Sequence, residues 1–573
     1  TWEEGYFLLP GFWYRKNLRS SDNAPSARIS KDWMVRNDRM SVPLAGVFNT
    51  GTGASVTMCR IDEISGDVLA PYEKGDVVLY GNADIGSMGF GESRNGSALL
   101  SFTYPYAEFP RTYIRKLTLD PPVQTFLHLD AGESRTVSFE MREWESGSYS
   151  AFVREVWNHA YDFFRPELVP EKRTDEEIKT VLADYFRQSY TDDYPVKGFS
   201  GVRLRTDLCE QRGILEVGFV GRVLLNAYNA LEFGYDTGDD ELIQMAWDIY
   251  DSYSSHGFTE GGFLREVIDY REGHEAEVYS IRRQSEGLFA LLQFLELEKK
   301  HERTHPELEE QVRSLLDKVV ALQRDNHFPR KFRDNMQVTD NSGGSSSTAV
   351  VPLLMGWKYF GDETYLAAAQ NTAEYLEEEI VSKGDYFSST LDSNCEDKEA
   401  SLYTASALYY LGLTADDSEM AKKYFDMAET ASYFALSWYF LWDVPFAPGQ
   451  LHGELGLKTR GWGNVSVENN HIDVYIFDFV DVLRHLAKMN GNSRLAEMAE
   501  VIRSSMREQL LPVEGRMCGI AKTGYYPEVV QHTNWDYGHY GKGFYNAVFA
   551  PGWTVASLWE LLSDNRLHNY FKD

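Results

Sequence analysis

Helical stretches of two alternating kinds follow one another after about residue 175, and this alternation limits the folds open to the chain. One kind is charged on one face, as in EEIKTVLADYF and ELEEQVRSLLDKVVAL. The other is poor in charge and rich in Ala, Leu and aromatic residues, as in GFVGRVLLNAYNALEFG and EASLYTASALYYLGL. Amphipathic helices cover a surface, whereas helices that are apolar all round are buried. Six of each kind predict an outer and an inner ring of helices, which is an (α/α)6 toroid.

The connections between these helices are unequal in length. The charged helices begin near Glu176, Asp240, Pro306, Glu363, Asp417 and Asn492, and the apolar ones near Val217, Ser285, Ser345, Glu396, Val467 and Gly552. Inner-to-outer links such as YDTGD are short, but outer-to-inner links are long: about 254–284, 326–344, 382–395, 442–466 and 512–551. Long ordered loops are usually functional, and helix N-termini favour anions. We therefore expect the active site on the face where the inner helices begin, the loop-rich face.

The first part of the chain has a different period. Segments such as SVTMCRID and RTVSFEMREW alternate apolar and polar residues, with Gly- and Pro-rich turns between them. We predict a mainly α protein with a β domain: an N-terminal antiparallel β-sandwich at 1–150, a helical linker at 151–174 and an (α/α)6-barrel catalytic domain at 175–573.

Charge and composition narrow the classes of partner. The formal charge of −31 argues against nucleic acid and anionic membranes as partners. No apolar run approaches the roughly 20 residues of a membrane span. The four cysteines lie far apart and predict neither a disulfide framework nor a metal site. No leader is visible; the compartment stays open, with secreted or periplasmic preferred over cytoplasmic.

The stretch LDSNCEDKEASLYTA (391–405) places four carboxylates, Asp392, Glu396, Asp397 and Glu399, at the start of the fourth inner helix. Ser393 and Glu396 fit a capping box, and acidic residues suit a first turn. Four carboxylates are more than a cap needs, however. We therefore expect at least one of them to be functional.

Two more inner-helix starts carry polar clusters. RRQSEG places Arg282, Arg283 and Glu286 around a predicted Ser285 cap. The start of the fifth inner helix groups Lys458, Arg460, Trp462, Glu468, Asn469, Asn470, His471 and Asp473, and the last long loop adds His532, Asn534, Trp535, Asp536, Tyr537, His539 and Tyr540. A cleft on the loop-rich face would collect these side chains.

The residue set suits glycoside hydrolysis. Neither HExxH nor GxSxG occurs, and GGSSST (343–348) lacks the GK[ST] of a phosphate loop. Glycosidases need one carboxylic acid and a second carboxylate as base or nucleophile. We predict Glu286 and Glu396 as this pair, with Asp397 and Asp473 in reserve, and neither metal nor cofactor. The predicted substrate-binding residues are Arg282, Arg283, Asp392, Arg460, Trp462, Asn470, His471, His532, Trp535 and Tyr540.

The segments RQSEG (283–287), TLDSNCEDKEA (390–400) and RGWGNVSVENNHIDVY (460–475) resemble the six-hairpin glycosidases, and most of all glycoside hydrolase family 154. The resemblance covers most of the chain. It implies an exo-acting β-glucuronidase that removes terminal uronic acid from oligo- or polysaccharides.

Three alternatives fit the same residues. A polysaccharide lyase would use Tyr and His as base and acid, for which the 532–540 segment offers candidates. A sugar epimerase or isomerase would use paired histidines, such as His471 and His532. A non-catalytic glycan-binding protein would need the aromatic rings but no pair of close carboxylates.

Overall fold

The computed structural model describes residues 1–66, 77–79, 84–202, 213–446, 450–514, 522–528, 530, 533 and 550–572. Its helices are α1 (Tyr149–Phe164), α2 (Asp175–Ser189), α3 (Val223–Thr237), α4 (Asp240–His256), α5 (Ile281–Lys300), α6 (Pro306–Leu322), α7 (Val350–Phe360), α8 (Glu363–Tyr375), α9 (Lys398–Thr414), α10 (Ser418–Leu436), α11 (Leu451–Leu455), α12 (Phe479–Asn490), α13 (Ser493–Met506), α14 (Pro551–Leu561) and α15 (Arg566–Lys572). Among these residues, no helix is both long enough and apolar enough to cross a bilayer.

The helices after α1 form the predicted (α/α)6 toroid. Helix α3 packs on α5, α5 on α7, α7 on α9 and α9 on α12, while α14 packs on α3, so these six line the inside. Their partners α4, α6, α8, α10, α13 and α2 pack outside them. The inner helices are buried nearly all round, as in α9, whereas α6 buries only one stripe of residues. The two kinds of sequence pattern therefore map onto the two rings.

The short links are tight because their residues suit sharp turns. Gly238, Gly361 and Gly491 adopt left-handed conformations that end α3, α7 and α12. Asp239 and Asp362 then cap the next helix by accepting backbone N–H bonds. Long connections are thereby left to the opposite end, at about 257–280, 323–349 and 382–397 and in the described residues of 437–478.

The strands of the N-terminal region are β1 (Gly5–Leu9), β2 (Trp13–Arg15), β3 (Trp33–Arg36), β4 (Leu44–Asn49), β5 (Ala54–Arg60), β6 (Val77–Leu79), β7 (Ser87–Glu92), β8 (Ala98–Thr103), β9 (Ala107–Glu108), β10 (Thr112–Arg115), β11 (Thr118–Asp120), β12 (Val123–Leu127) and β13 (Phe139–Glu145). Short strands in the barrel loops are β14 (Tyr190–Thr191), β15 (Gly198–Phe199), β16 (Ile214–Glu216), β17 (Val267–Asp269), β18 (His274–Glu275), β19 (Val278–Ser280), β20 (Lys331–Arg333), β21 (Val338–Asp340), β22 (Gly463–Asn464) and β23 (Ile472–Asp473).

The β-rich region is not the closed antiparallel sandwich that its sequence pattern predicts. One antiparallel sheet has the order β13-β5-β4-β1-β2, but the facing strands are divided among β3-β7-β8, β6-β12-β9 and the β10-β11 hairpin. Strands β6 and β12 are parallel. Pro105 and Pro110 flank β9 and cannot donate ladder hydrogen bonds, which limits pairing there.

The five-stranded sheet has two buried faces. Phe7 on one face stacks on Phe90 of β7, with ring centroids 4.1 Å apart, whereas the next residue, Leu8, belongs to the large core that includes α1 and the barrel. Successive side chains of β1 point to opposite faces of the sheet, so the strand packs into the small core of the β-rich region on one face and into the large core of the helices on the other. The proposed division at residues 150 and 175 stays a prediction.

Two helix starts differ from the prediction. Helix α5 begins at Ile281, where the Ser280 side chain accepts from Arg283 N; Ser285 lies inside the helix and is not its cap. Helix α12 begins at Phe479, so the segment from Val467 onward is loop that carries β23. Backbone pairing of this segment with its neighbours competes successfully with helix formation: Val467 N donates to Glu396 O, and Ile472 pairs with Val530.

Candidate active site

A cleft of about 920 Å³ opens on the loop-rich face, between the barrel and the β10-β11 hairpin. Its described lining residues are Tyr113, Arg115, Lys116, Phe219, Val220, Arg282, Thr390, Asp392, Glu399, Val465, Asn469, His471, Asp473, Tyr475, Glu528 and Trp553. They come from the N-terminal ends of α5, α9 and α14, from the segments before α3, α9 and α12, from the β10-β11 hairpin, and from Glu528 in the stretch between α13 and α14. The site therefore lies where the loop lengths predict it.

The start of α9 forms one wall of the cleft. Asp397 is its N-cap and accepts from Ala400 N at 2.6 Å, and also from the amides of Ser389 and Thr390 at 2.9 and 3.1 Å. The cap is thus Asp397 rather than the predicted Ser393 capping box. Because backbone amides occupy both of its oxygens, Asp397 has a structural function, and it is not among the residues that line the cleft.

Glu399, in the first turn of α9, lines the cleft beside Arg282. A guanidinium nitrogen of Arg282 lies 2.5 Å from its carboxylate. Burial raises the pKa of Glu399 to about 7, although Arg282 opposes the shift; Asp397 and Asp473 reinforce it. Glu399 can therefore exchange a proton near neutral pH.

Glu528 lines the cleft as well. Its carboxylate accepts from Ala550 N at 2.7 Å and from the indole N–H of Trp553 at 3.2 Å. Burial raises the pKa of Glu528 to about 7, and the negative charges of Asp392 and Asp473 add to the shift. Unlike Glu399, Glu528 has no cation among the described residues that shift its pKa, and these residues favour its protonated form.

Two ion pairs complete the walls. Asp473 is paired with Lys398, and both are almost completely buried. Burial raises the pKa of Asp473, and Lys398 opposes this. Asp392 is paired with Lys116 of the β-rich region, so this ion pair joins the two parts of the molecule at the cleft rim.

The floor of the cleft is a buried network around Glu286. This carboxylate contacts Arg222 at 2.7 Å and Arg282 at 2.8 Å and accepts from the Tyr403 hydroxyl and Phe219 N. Burial would raise the pKa of Glu286, but the two guanidinium groups outweigh it, and the pKa is lowered. Glu286 therefore stays ionised and is not a proton donor near neutral pH. It faces an inner cavity of the barrel rather than the cleft.

A second cavity of about 1090 Å³, the side cavity, adjoins the cleft. Its described lining residues are Val202, Ile214, Glu216, Phe219, Val220, Val267, Asp269, Glu272, His274, Ala276, Arg283, Glu528 and Ala550. Arg283 belongs to this cavity, where it pairs with Glu216 at 2.5 Å and with Glu266 at 3.4 Å. It therefore does not line the cleft beside Arg282, its neighbour in the sequence.

Four other predicted site residues lie away from the cleft. Glu396 is buried 3.8 Å from Arg15 of the β-rich region; burial raises its pKa to about 7. Arg460 is paired with Asp443 and bonds the carbonyl of Glu167 at 2.6 Å. The remaining two, Trp462 and Asn470, are fully buried, and Asn470 donates to the Gly11 carbonyl at 2.9 Å. These positions correct the prediction that all the inner-helix starts place their polar residues in one cleft.

The predicted residues that do meet in the cleft are Arg282, Asp392, His471 and Asp473. His532, Trp535 and Tyr540 lie outside the described residues. Within the described part of the chain, no group of three or more His, Cys, Asp or Glu side chains is arranged to hold a metal ion.

Sequence reasoning did not select Glu399, Glu528, Trp553, Arg115 or Lys116. Glu399 carried a signal, because it belongs to the acidic stretch at the start of α9. No sequence pattern points to Glu528, because it is an isolated carboxylate in the stretch that was predicted as the last long loop. The two basic residues lie on the β10-β11 hairpin and are distant in sequence from the barrel residues that they meet.

No family model matches the chain, and no curated protein does either. Among solved structures, cellobiose 2-epimerase from Bacillus thermoamylovorans B4167 is 14% identical over 68% of this chain and 98% of its own, with a TM-score of 0.47. The GH76 α-mannanase of Bacteroides thetaiotaomicron is 10% identical over 70% and 98%, with a TM-score of 0.45. Unsaturated glucuronyl hydrolase from Bacillus sp. GL1 is 18% identical over 37% and 61%, with a TM-score of 0.30. Similarities this distant indicate neither activity nor substrate, so both are argued from the site.

Proposed function

We propose that the protein is a glycoside hydrolase that acts in the cleft, with Glu528 as general acid and Glu399 as base or nucleophile. One observation carries the proposal: two carboxyl groups, the buried one of Glu399 and the partly exposed one of Glu528, line the same cleft, and the pKa of each is raised to about 7. Glycosidases need one carboxyl group protonated and a second one ionised. The neighbouring Arg282 favours the ionised form of Glu399, which assigns the two functions.

The reaction consumes one water molecule. Glu528 gives its proton to the glycosidic oxygen as the bond from that oxygen to the anomeric carbon breaks. Glu399 either takes a proton from the attacking water or first bonds to the anomeric carbon, and a hydroxyl group ends on that carbon. If Glu399 acts as base, the proton that it takes from the water returns to Glu528 by exchange with solvent. If Glu399 acts as nucleophile, Glu528 takes that proton as the water breaks the bond between Glu399 and the anomeric carbon. Either way, Glu528 ends protonated and Glu399 ionised. Trp553 offers an apolar ring on which a sugar face can lie.

We further propose that the substrate ends in uronic acid, as the resemblance to glycoside hydrolase family 154 implies. Arg115, Lys116 and Arg282 line the cleft and provide positive charge in a protein of net charge −31. Arginine can bind a carboxylate through two parallel hydrogen bonds. Removal of one terminal uronate at a time, the exo-acting mode, fits a cleft that the β10-β11 hairpin bounds on one side.

The alternatives receive less support from the geometry. A lyase needs a tyrosine that ionises readily, but burial raises the pKa of Tyr475, a described tyrosine of the cleft, well above its usual value; Tyr537 and Tyr540 of the 532–540 segment lie outside the described residues. An epimerase with two histidines finds only His471 among the described residues of the cleft. A binding protein would have no use for one protonated and one ionised carboxyl group in the same cleft.

The first test is enzymatic hydrolysis. We expect release of free glucuronic acid from para-nitrophenyl β-glucuronide and faster turnover of it than of the matching β-glucoside. Faster turnover of the glucoside would contradict the uronate assignment and leave the glycosidase class standing. An unsaturated product that absorbs ultraviolet light would indicate a lyase.

Replacement of Arg115 tests the recognition of the uronate. A charge-assisted hydrogen bond contributes about 1.5–3 kcal/mol, so we expect Arg115→Ala to lower kcat/KM for the glucuronide about 10- to 150-fold. The β-glucoside has no carboxylate to lose that bond, and its kcat/KM should change little. Arg460→Ala is the matched control, because Arg460 lies outside the cleft. Equal losses on both substrates in Arg115→Ala would contradict the proposed contact.

The pH dependence tests the carboxyl pair. Activity requires Glu528 protonated and Glu399 ionised. As the pH rises through about 7, Glu528 loses its proton and kcat/KM falls; as the pH drops below about 7, Glu399 gains one and kcat/KM falls again. We expect a bell-shaped profile near neutral pH on a glucuronosyl disaccharide. The alkaline limb should disappear in Glu528→Gln, and a limb that persists unchanged would assign it to another group.

A further inference from the structure

Glu528 stands at the boundary between the cleft and the side cavity. Phe219, Val220 and Glu528 line both spaces. The two donors to the Glu528 carboxylate border different spaces: Trp553 lines the cleft, and Ala550 lines the side cavity. The carboxyl group thus faces two spaces at once.

A general acid acts on the oxygen that joins two sugar units, and therefore has one unit on each side of it. The cleft and the side cavity, about 920 and 1090 Å³ with the space open to solvent included, both border Glu528. Each can hold a sugar unit. The geometry consequently gives the uronate and its leaving group separate places.

The two spaces differ in charge. In the cleft, Arg115, Lys116 and Arg282 offset the three carboxylates of Asp392, Glu399 and Asp473, and Lys398 lies behind one of them. Glu528 lines both spaces and, as the protonated acid, adds a negative charge to neither. Three carboxylates, those of Glu216, Asp269 and Glu272, line the described part of the side cavity. The guanidinium of Arg283 is its one Lys or Arg among the described residues, and it is already paired with Glu216 and Glu266. The described lining of the side cavity is therefore acidic and repels anions.

We propose that the uronic acid occupies the cleft and the leaving group the side cavity, and that the leaving group is a neutral sugar. This inference rests on the proposed glycosidase function. If the sugar next to the terminal uronic acid also carried a carboxylate or sulfate, that anionic group would lie near Glu272 and Glu216. The substrate class is then a uronic acid that ends a neutral glycan, rather than a polyuronate or a sulfated chain.

The test uses two aryl β-glucuronides whose phenols have equal pKa. One aryl ring carries a neutral group and the other an anionic group, placed away from the reacting bond. We expect kcat/KM to favour the neutral substrate about tenfold, as one like charge at close range predicts. Glu272→Lys should bring the ratio close to one. Glu277→Lys, a change at an exposed residue of the same loop that does not line the cavity, should leave it unchanged.

The failure of this inference can be told apart from that of the function. Equal turnover of both glucuronides by the unmodified protein would overturn the neutral leaving group and leave the glycosidase intact. Absence of any hydrolysis would overturn the glycosidase. Calorimetric binding of sulfur-linked analogues of the two substrates then tests the cavity without turnover. About tenfold weaker binding of the anionic analogue supports the inference; equal affinity, or no binding of either analogue, overturns it.

Discussion

Glu528→Gln is expected to lower kcat on a glucuronosyl disaccharide about 10²–10⁴-fold, because the amide cannot donate a proton to the departing sugar oxygen. The loss should be much smaller on para-nitrophenyl β-glucuronide, since nitrophenolate leaves readily without a proton. This dependence on the leaving group identifies a general acid. A variant that merely distorted the cleft would lose similar activity on both substrates.

Glu396→Gln is the matched control for this prediction. Burial raises the pKa of Glu396 to about 7, as it does for Glu528, but Glu396 contacts the β-rich region and not the cleft. We expect turnover per folded molecule close to that of the unmodified protein on both substrates. If Glu396→Gln instead lost turnover on the disaccharide but not on para-nitrophenyl β-glucuronide, and Glu528→Gln kept full turnover on both, Glu396 would be the general acid.

The architecture of the barrel could be predicted from the sequence because it depends on burial around whole helices. A helix such as α9, buried on nearly every side, cannot tolerate charges along its length, whereas α6 exposes one face and carries them there. The long loops also predicted the face that holds the cleft. Both signals extend over many residues and survive local errors.

The β-rich region was predicted less well. Alternation of apolar residues identifies strands but does not determine which strands pair. The second layer is divided into small sheets, and one pair, β6 and β12, is parallel. The alternation of apolar and polar residues is the same in several small sheets as in one continuous sheet, so it cannot distinguish between them.

Individual site residues depend on helix starts, which sequence patterns predict poorly. Glu396 and Glu399 share a helical face only if both are helical, but α9 begins at Lys398 after the Asp397 cap. Glu396 is therefore extended and points to the β-rich region, whereas Glu399 lines the cleft. Lys116 and Glu528 enter the site through tertiary contacts, such as the ion pair of Lys116 with Asp392, which no local pattern records.

Glu286 also shows how a residue can look catalytic in the sequence when its contacts are structural. It follows two arginines at a helix start, which suggested a substrate-facing carboxylate. The structure instead surrounds it with Arg222, Arg282 and Tyr403, all within the floor of the site. The Glu286 carboxylate balances part of the charge of both guanidinium groups, and Arg282 also contacts Glu399.

Glu286→Gln is accordingly expected to destabilise the protein. The change leaves the buried guanidinium groups of Arg222 and Arg282 short of an anion, and loss of one partner of a buried ion pair typically costs about 3–5 kcal/mol. We expect a clearly lower midpoint of urea unfolding at neutral pH, whereas Glu310→Gln, a change at an exposed residue of α6, should leave it in place. Any activity that remains should keep the alkaline limb of its pH profile, because that limb belongs to Glu528. Unchanged stability, combined with loss of turnover that depends on the leaving group, would instead make Glu286 the acid.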